Sequence, residues 1–215
     1  KPLQLIDVNN LWEKIADYVS PDIKDEWKAR AFGWDPPGSS KQVPVDKQLT
    51  AVIDTAFADR ENLVVCEFGR IHRDGHADHA KYGWSTKQLA GHPKVKVVYS
   101  IDPDPTTCQT TRNVLEPQEF QKLKFFSGPA PDNFLMIDLL YIDANDDSMA
   151  NLQCLESVMS RLSDIAVIVV NGATDGRKPL LVRARLEHCC RPFIIGDSMV
   201  FMQRRIPESM RRIWT

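Results

Sequence analysis

The sequence is short of several features that would each settle its class. No apolar run approaches the roughly 18 residues of a membrane-spanning helix, and no secretory leader pattern heads the chain. Lys and Arg number 27 against 29 Asp and Glu, a formal charge of −2. That near balance gives no general pull toward a polyanion, so nucleic acid is not an expected partner unless a local basic patch supplies one. The five cysteines, Cys66, Cys108, Cys154, Cys189 and Cys190, form an odd set without paired C-x-x-C spacing. This argues against a zinc knuckle or a disulfide framework; buried or free thiols in a reducing, cytoplasmic setting are the expectation. The chain also lacks an opening Met: it begins at Lys1, as a trimmed chain or a piece of a longer one would.

What is present suffices for one domain with a substantial core: 215 residues, 43% hydrophobic and 26% charged. The stretch from Asn62 to Asp102 organises it. An apolar run, Leu63-Val64-Val65-Cys66, leads into Glu67-Phe68-Gly69 and a polar segment from Arg70 to Tyr82. Gly83-Trp84-Ser85-Thr86 then opens a short helix, and a second apolar run, Val95 to Ile101, ends on Asp102. Strand, glycine loop, helix, strand, acid is the order that builds a nucleotide-type cofactor site in a doubly wound α/β domain. Glycine lets the backbone approach, helix N–H groups face the ligand, and the acid takes ribose hydroxyls.

Upstream, Val8, Leu11, Trp12, Ile15 and Val19 recur at helical spacing until Pro21, and Phe32 to Ser40 is a turn-rich loop. Residues 1–44 are therefore expected to form a helical segment, 45–205 the α/β domain and 206–215 a tail. Val45, Leu49, Val52, Ile53, Ala56 and Phe57 predict an amphipathic helix before the first strand. After Asp102, a helix is expected from Thr106 to Leu115 with Cys108, Thr111, Arg112 and Leu115 on one face. Strands follow at Leu123–Phe126, at Ile137–Ile142 ending on Asp143, and at Ile165–Val170 ending on Asn171-Gly172. Met149 to Leu162 reads as a helix, Pro179 opens the last one, and Phe193–Ile195 with Met199–Met202 reads as a β-hairpin.

Glu67-x-Gly69, Gly83-x-Ser85-Thr86 and Ser100-Ile101-Asp102-Pro103 resemble the first two motifs of class I S-adenosylmethionine-dependent methyltransferases. Ile137 to Asp143 resembles that family's fourth-strand motif. The likeness covers roughly Val45 to Arg205, and the small-molecule O-methyltransferase-like branch is the most similar. It implies a Rossmann-like, seven-stranded sheet, mostly parallel with a C-terminal antiparallel hairpin, and S-adenosylmethionine as cofactor. It also implies an enzyme that methylates a small-molecule acceptor, at oxygen, with residues 1–44 as a lid over the acceptor pocket, no membrane and no nucleic acid, as a homo-oligomer or within a longer chain. The cofactor contacts it implies are Glu67, Gly69, Gly83, Ser85, Thr86, Asp102, Gly128, Asp132 and Asp143. Asp143 and then Asp146 are the implied catalytic acids. Glu67 either faces the ligand crevice or bonds its own loop.

The chain departs from the family pattern in three places. Gly83 lies 19 residues before Asp102, near the roughly 20 expected, but Gly69 lies 33 before it, so an insertion interrupts the loop near Ile71 to Lys81. Pro129 follows Gly128 where the family commonly has an adenine-reading Asp, leaving backbone or Asp132 for that role. Asn171-Gly172 stands where metal-dependent relatives carry an Asp-Asn pair, so magnesium is not expected. The insertion itself, His72-Arg73-Asp74-Gly75-His76-Ala77-Asp78-His79, gathers metal-ligand residue types. A metal-dependent hydrolase using that cluster is one alternative reading, and a non-catalytic methyltransferase-like domain of a larger assembly is the other.

Overall fold

The computed structural model describes residues 45–69, 85–131, 133–144, 147–172, 178–186, 190–195 and 198–203. The expected lid segment 1–44 and the tail 206–215 lie outside these residues. So do Gly83, Asp132, Asp146 and the His72 to His79 cluster.

Helix α1 spans Val45–Ala56, followed by strand β1, Leu63–Phe68. Helix α2 is Ser85–Gly91 and β2 is Val95–Ile101. Helices α3, Thr106–Val114, and α4, Pro117–Phe120, lead to β3, Leu123–Phe126. Then come β4, Ile137–Ile142, α5, Ser148–Val158, a 3-10 turn at Met159–Arg161, and β5, Leu162–Asn171. Helix α6, Leu180–Leu186, precedes β6, Cys190–Ile195, and β7, Ser198–Gln203.

These strands form one 7-stranded sheet in the order β3-β2-β1-β4-β5-β7-β6. The pairs among β1 to β5 are parallel, and β7 runs antiparallel to both β5 and β6. The mostly parallel sheet and its antiparallel C-terminal pair are thus as the sequence predicts. Successive side chains of a strand point to opposite faces, so an unbroken apolar run requires cover on both. Strand β1 meets this on every residue: Leu63 and Val65 join Leu49, Ile53, Phe57 and Leu89 of α1, its following turn and α2. Val64, Cys66 and Phe68 join Leu155 and Val158 of α5 and Val182 and Leu186 of α6. Burying one such side chain contributes about 1.5–3 kcal/mol.

Several boundaries differ from the sequence reading. Strand β1 runs on through Glu67 and Phe68, because Glu67 pairs in register with Ser100 of β2 and Tyr141 of β4. Leu162 belongs to β5 rather than to the preceding helix, which tightens into its 3-10 turn at Met159. Helix α3 buries Thr107 and Thr111 rather than a face centred on Cys108 and Arg112. Each threonine hydroxyl donates to a carbonyl one turn back, Asp104 O at 2.7 Å and Thr107 O at 2.8 Å, which satisfies it in the core. Helix α4 was not expected; a reciprocal capping box between Glu116 and Glu119, with Pro at its start, explains it.

Among the described residues no helix is long and apolar enough to cross a membrane. No disulfide joins Cys66, Cys108, Cys154 or Cys190. Burial, with the nearby Glu67 charge adding to it, holds the Cys66 thiol well above its ordinary range. Cys154 is pushed up to about 11 by burial. Both stay protonated at neutral pH, as inert core thiols do.

Candidate functional site

The sheet reverses its winding between β1 and β4: β2 and β3 extend one way from β1, β4 and β5 the other. Parallel strands put all their carboxyl ends on one edge, and the crevice at such a reversal is where doubly wound domains bind ligands. Here the three strand ends are tied together. The Gly69 N–H donates to Ile101 O at 3.0 Å, and the Asp143 N–H donates to Phe68 O at 2.9 Å. Gly69 has a φ of +86°, and a Cβ on it would fall 2.1 Å from the Asp143 carbonyl oxygen. Only glycine fits that close approach.

Glu67, two residues before Gly69, is fully buried. Its Oε1 accepts from Ser85 Oγ at 2.8 Å and from Thr86 Oγ1 at 2.9 Å; its Oε2 accepts from Thr86 Oγ1 at 2.8 Å and from Ser100 Oγ at 3.1 Å. The carboxylate therefore clamps the start of α2 onto β1 and β2. Ser85 and Thr86 turn their hydroxyls inward to it, so these three residues form an internal knot. The parity of the strand decides this: Glu67 shares the face of Leu63 and Val65, under α2.

Asp102 lies at the carboxyl end of β2, as expected, and is only 1% exposed. Its N–H donates to Phe126 O at 3.0 Å, and its Oδ1 accepts from the Asp104 N–H at 2.8 Å, an Asx turn that shapes the Pro103–Pro105 corner. Gly128 follows β3, and a Cβ there would meet nothing within 4 Å, so the backbone is open at that point. Asp143 follows the last residue of β4, with its side chain 33% exposed. Its Oδ1 lies 3.2 Å from Lys178 Nζ, and its Oδ2 accepts from Asn171 Nδ2 at 3.1 Å. Ser198 Oγ donates in turn to Asn171 Oδ1 at 3.4 Å.

The structure thus brings Gly69, Asp102 and Asp143 to one edge and sets Glu67, Ser85 and Thr86 beneath it. It adds Lys178 and Ser198, which sequence reasoning missed. No local pattern marks Lys178, which stands 35 residues beyond Asp143. The one signal was Gly172 at the end of β5, whose φ of +81° and missing side chain leave room for the lysine stem. The Asn171 amide donates to Asp143 rather than standing beside it as a second oxygen ligand. Among the described residues no three His, Cys, Asp or Glu side chains gather as a metal site.

Geometry of this kind defines a class: the chain has the class I S-adenosylmethionine-dependent methyltransferase fold. Its solved neighbours are similar in fold over most of the chain. One is the O-methyltransferase TomG from Streptomyces achromogenes, a protein of tomaymycin synthesis solved with S-adenosylmethionine. It is 13% identical, with 94% of this chain and 92% of that chain covered and a TM-score of 0.52. A candidate O-methyltransferase from Klebsiella pneumoniae is 15% identical over 94% and 93% of the two chains, with a TM-score of 0.52. An rRNA methylase from Streptococcus thermophilus is 13% identical over 79% of this chain and 100% of that one, with a TM-score of 0.51. No family model and no curated protein matches the sequence.

Proposed function

We propose that the chain transfers a methyl group from S-adenosylmethionine to a small-molecule acceptor, at oxygen. The observation that carries this reading is the tying of the β1, β2 and β4 ends at Gly69, with a carboxylate on either side. Gly69 and the open backbone at Gly128 allow close approach of the methyl donor, and Asp143 stands at the reversal of the sheet; to Asp102, at the end of β2, we assign its ribose. When bound, the donor supplies a methyl group already activated by its sulfonium.

What the chain contributes is alignment, which by itself can supply much of the acceleration of a displacement. Asp143 is held on both carboxylate oxygens, so it acts as a fixed anchor at the place where donor and acceptor meet. The O-methyltransferase neighbours, matched over 94% of this chain, support the choice of a small acceptor. Calorimetry with S-adenosylmethionine and S-adenosylhomocysteine tests the reading: binding of both in the micromolar range is expected. One observation favours a second reading, a scaffold that keeps the fold without the chemistry: the Glu67, Ser85 and Thr86 groups are turned inward. No binding of either compound would select that reading.

A further inference from the structure

Away from the carboxyl edge, a groove opens over α2, which packs against both α1 and α4. Asp54 lines it from α1, Glu119 from α4, and Lys87, Gly91, His92 and Pro93 from α2 and the turn into β2. Its volume is about 490 Å³, within the roughly 300–1,000 Å³ of small-molecule sites. His92 and Pro93 precede β2, and Asp102 follows it. The length of that strand sets the groove roughly 20 Å from the site at Gly69 and Asp143.

The charges along the groove are of two kinds. Asp54 is compensated: its Oδ1 lies 3.3 Å from His92 Nε2 and 3.9 Å from Lys94 Nζ. Lys87 and Glu119 are not. Lys87 Nζ donates to Val114 O at 3.3 Å, a neutral partner. Glu119 Oε2 accepts from the Glu116 N–H at 2.8 Å, within the capping box that starts α4. Its Oε1 lies over Gly91, where a Cβ would stand 3.0 Å from it. Neither Lys87 nor Glu119 forms an ion pair among the described residues. Lys87 and Gly91 stand one turn apart on α2, so a cation and an anion share the groove without neutralising each other.

We infer that this groove is a second binding site, and that its ligand is a free α-amino acid with an apolar side chain. A simple cation entering the groove meets Lys87 and a simple anion meets Glu119, each a like-charge repulsion in half-buried surroundings. A ligand carrying both charges satisfies both residues at once. Its carboxylate takes the Lys87 ammonium and its ammonium takes Glu119 Oε1, two charge-assisted hydrogen bonds. The ring of Pro93 and the methylene stem of Lys87 offer the side chain an apolar surface. Gly91 keeps the floor low, because any side chain there presses on the Glu119 carboxylate.

The test follows the amide signals of the isotope-labelled full chain by NMR as L-phenylalanine is added. Two analogues, each lacking one charge, are titrated in parallel: hydrocinnamate and phenethylamine. L-Phenylalanine should bind with a dissociation constant of about 1 mM or tighter. The shifts should fall between Lys87 and Lys94 and between Glu116 and Phe120, leaving Gly69 and Gly128 in place. Each analogue should bind at least about tenfold more weakly, as should L-phenylalanine to Lys87→Gln and to Glu119→Gln. Glutamine serves a capping box as glutamate does, so the second variant keeps the start of α4. Gly91→Val should abolish binding by filling the groove, and circular dichroism checks that it folds. The inference is overturned if nothing shifts at about 10 mM, if either analogue binds as tightly, or if either glutamine variant binds as the parent does. Shifts at Gly69 and Gly128, or displacement by S-adenosylhomocysteine, would put the amino acid at the carboxyl edge and overturn it equally.

Discussion

Glu67 near the end of β1 and Asp143 just past the end of β4 are two acids on neighbouring strand ends of one sheet, the first beneath the carboxyl edge and the second on it. The first is buried, and hydroxyls from Ser85, Thr86 and Ser100 surround it. The second is one-third exposed and is held by an ammonium and an amide. A carboxylate enclosed by hydroxyls pins together the elements that carry them. A carboxylate at the rim, with a cation beside it, presents charge to whatever enters. Strand parity makes the difference, since Glu67 faces α2 while Asp143 leaves the sheet at the point where its winding reverses.

If that contrast is right, breaking the buried acid should be by far the more damaging. Glu67→Ala would leave three hydroxyls without their acceptor, and a loss of about 3–5 kcal/mol is expected in urea unfolding. A loss below about 1 kcal/mol would show that the knot is dispensable. Gly69→Ala comes next, because it combines a left-handed φ with a Cβ pressed onto the Asp143 carbonyl. We expect about 2–3 kcal/mol of destabilisation together with weaker S-adenosylhomocysteine binding, since the clash displaces the end of β4. Retained stability and binding would mean that the strand ends can part without consequence.

For the exposed acid the expectation is reversed. Asp143→Ala should cost no more than about 1 kcal/mol, the usual worth of a partly exposed ion pair, while releasing Lys178. A larger stability loss, comparable to that of Glu67→Ala, would erase the distinction between the two acids.

The smallest effect lies at the opposite edge of the sheet and serves as a control. His92, just before β2, accepts the Lys94 N–H at its Nδ1 (3.2 Å) and sets Nε2 3.3 Å from Asp54 Oδ1. Burial lowers its pKa, outweighing the raising influence of Asp54, with Lys94 and Lys122 adding to the lowering. The folded imidazole thus takes up its proton at lower pH than the unfolded one, which titrates at about 6.5. Its stabilising contribution is complete above that value and is lost as pH falls through it toward the folded pKa. Unfolding midpoints between pH 7.5 and 5 should therefore fall less steeply in His92→Gln than in the parent. Identical slopes would contradict the assignment.

Much of the fold was legible in the sequence because it depends on local composition. Apolar runs such as Leu63 to Cys66 and Ile137 to Ile142 had to be strands covered on both faces, and the hairpin after Pro179 pointed to the antiparallel pair. The acids at the ends of β2 and β4 could be placed for the same reason. Helix α3 was less readable: its buried face consists of threonines, which look polar until their hydroxyls are seen to bond the helix backbone.

By itself, then, the sequence determined which segments are strands, which stand at the carboxyl edge, and that Gly69 and Asp143 lie there, since periodicity and strand-end chemistry are written within a few residues of each other. Only the tertiary structure decided which acid is interior and which meets a cation. Glu67 became a pin because strand pairing brought Ser100 alongside it and α2 folded over it. Lys178 reached Asp143 because β5 lies beside β4 and Gly172 leaves its path open. Such meetings depend on strand order and register, and a side chain carries no mark of the distant partner that packing will bring to it.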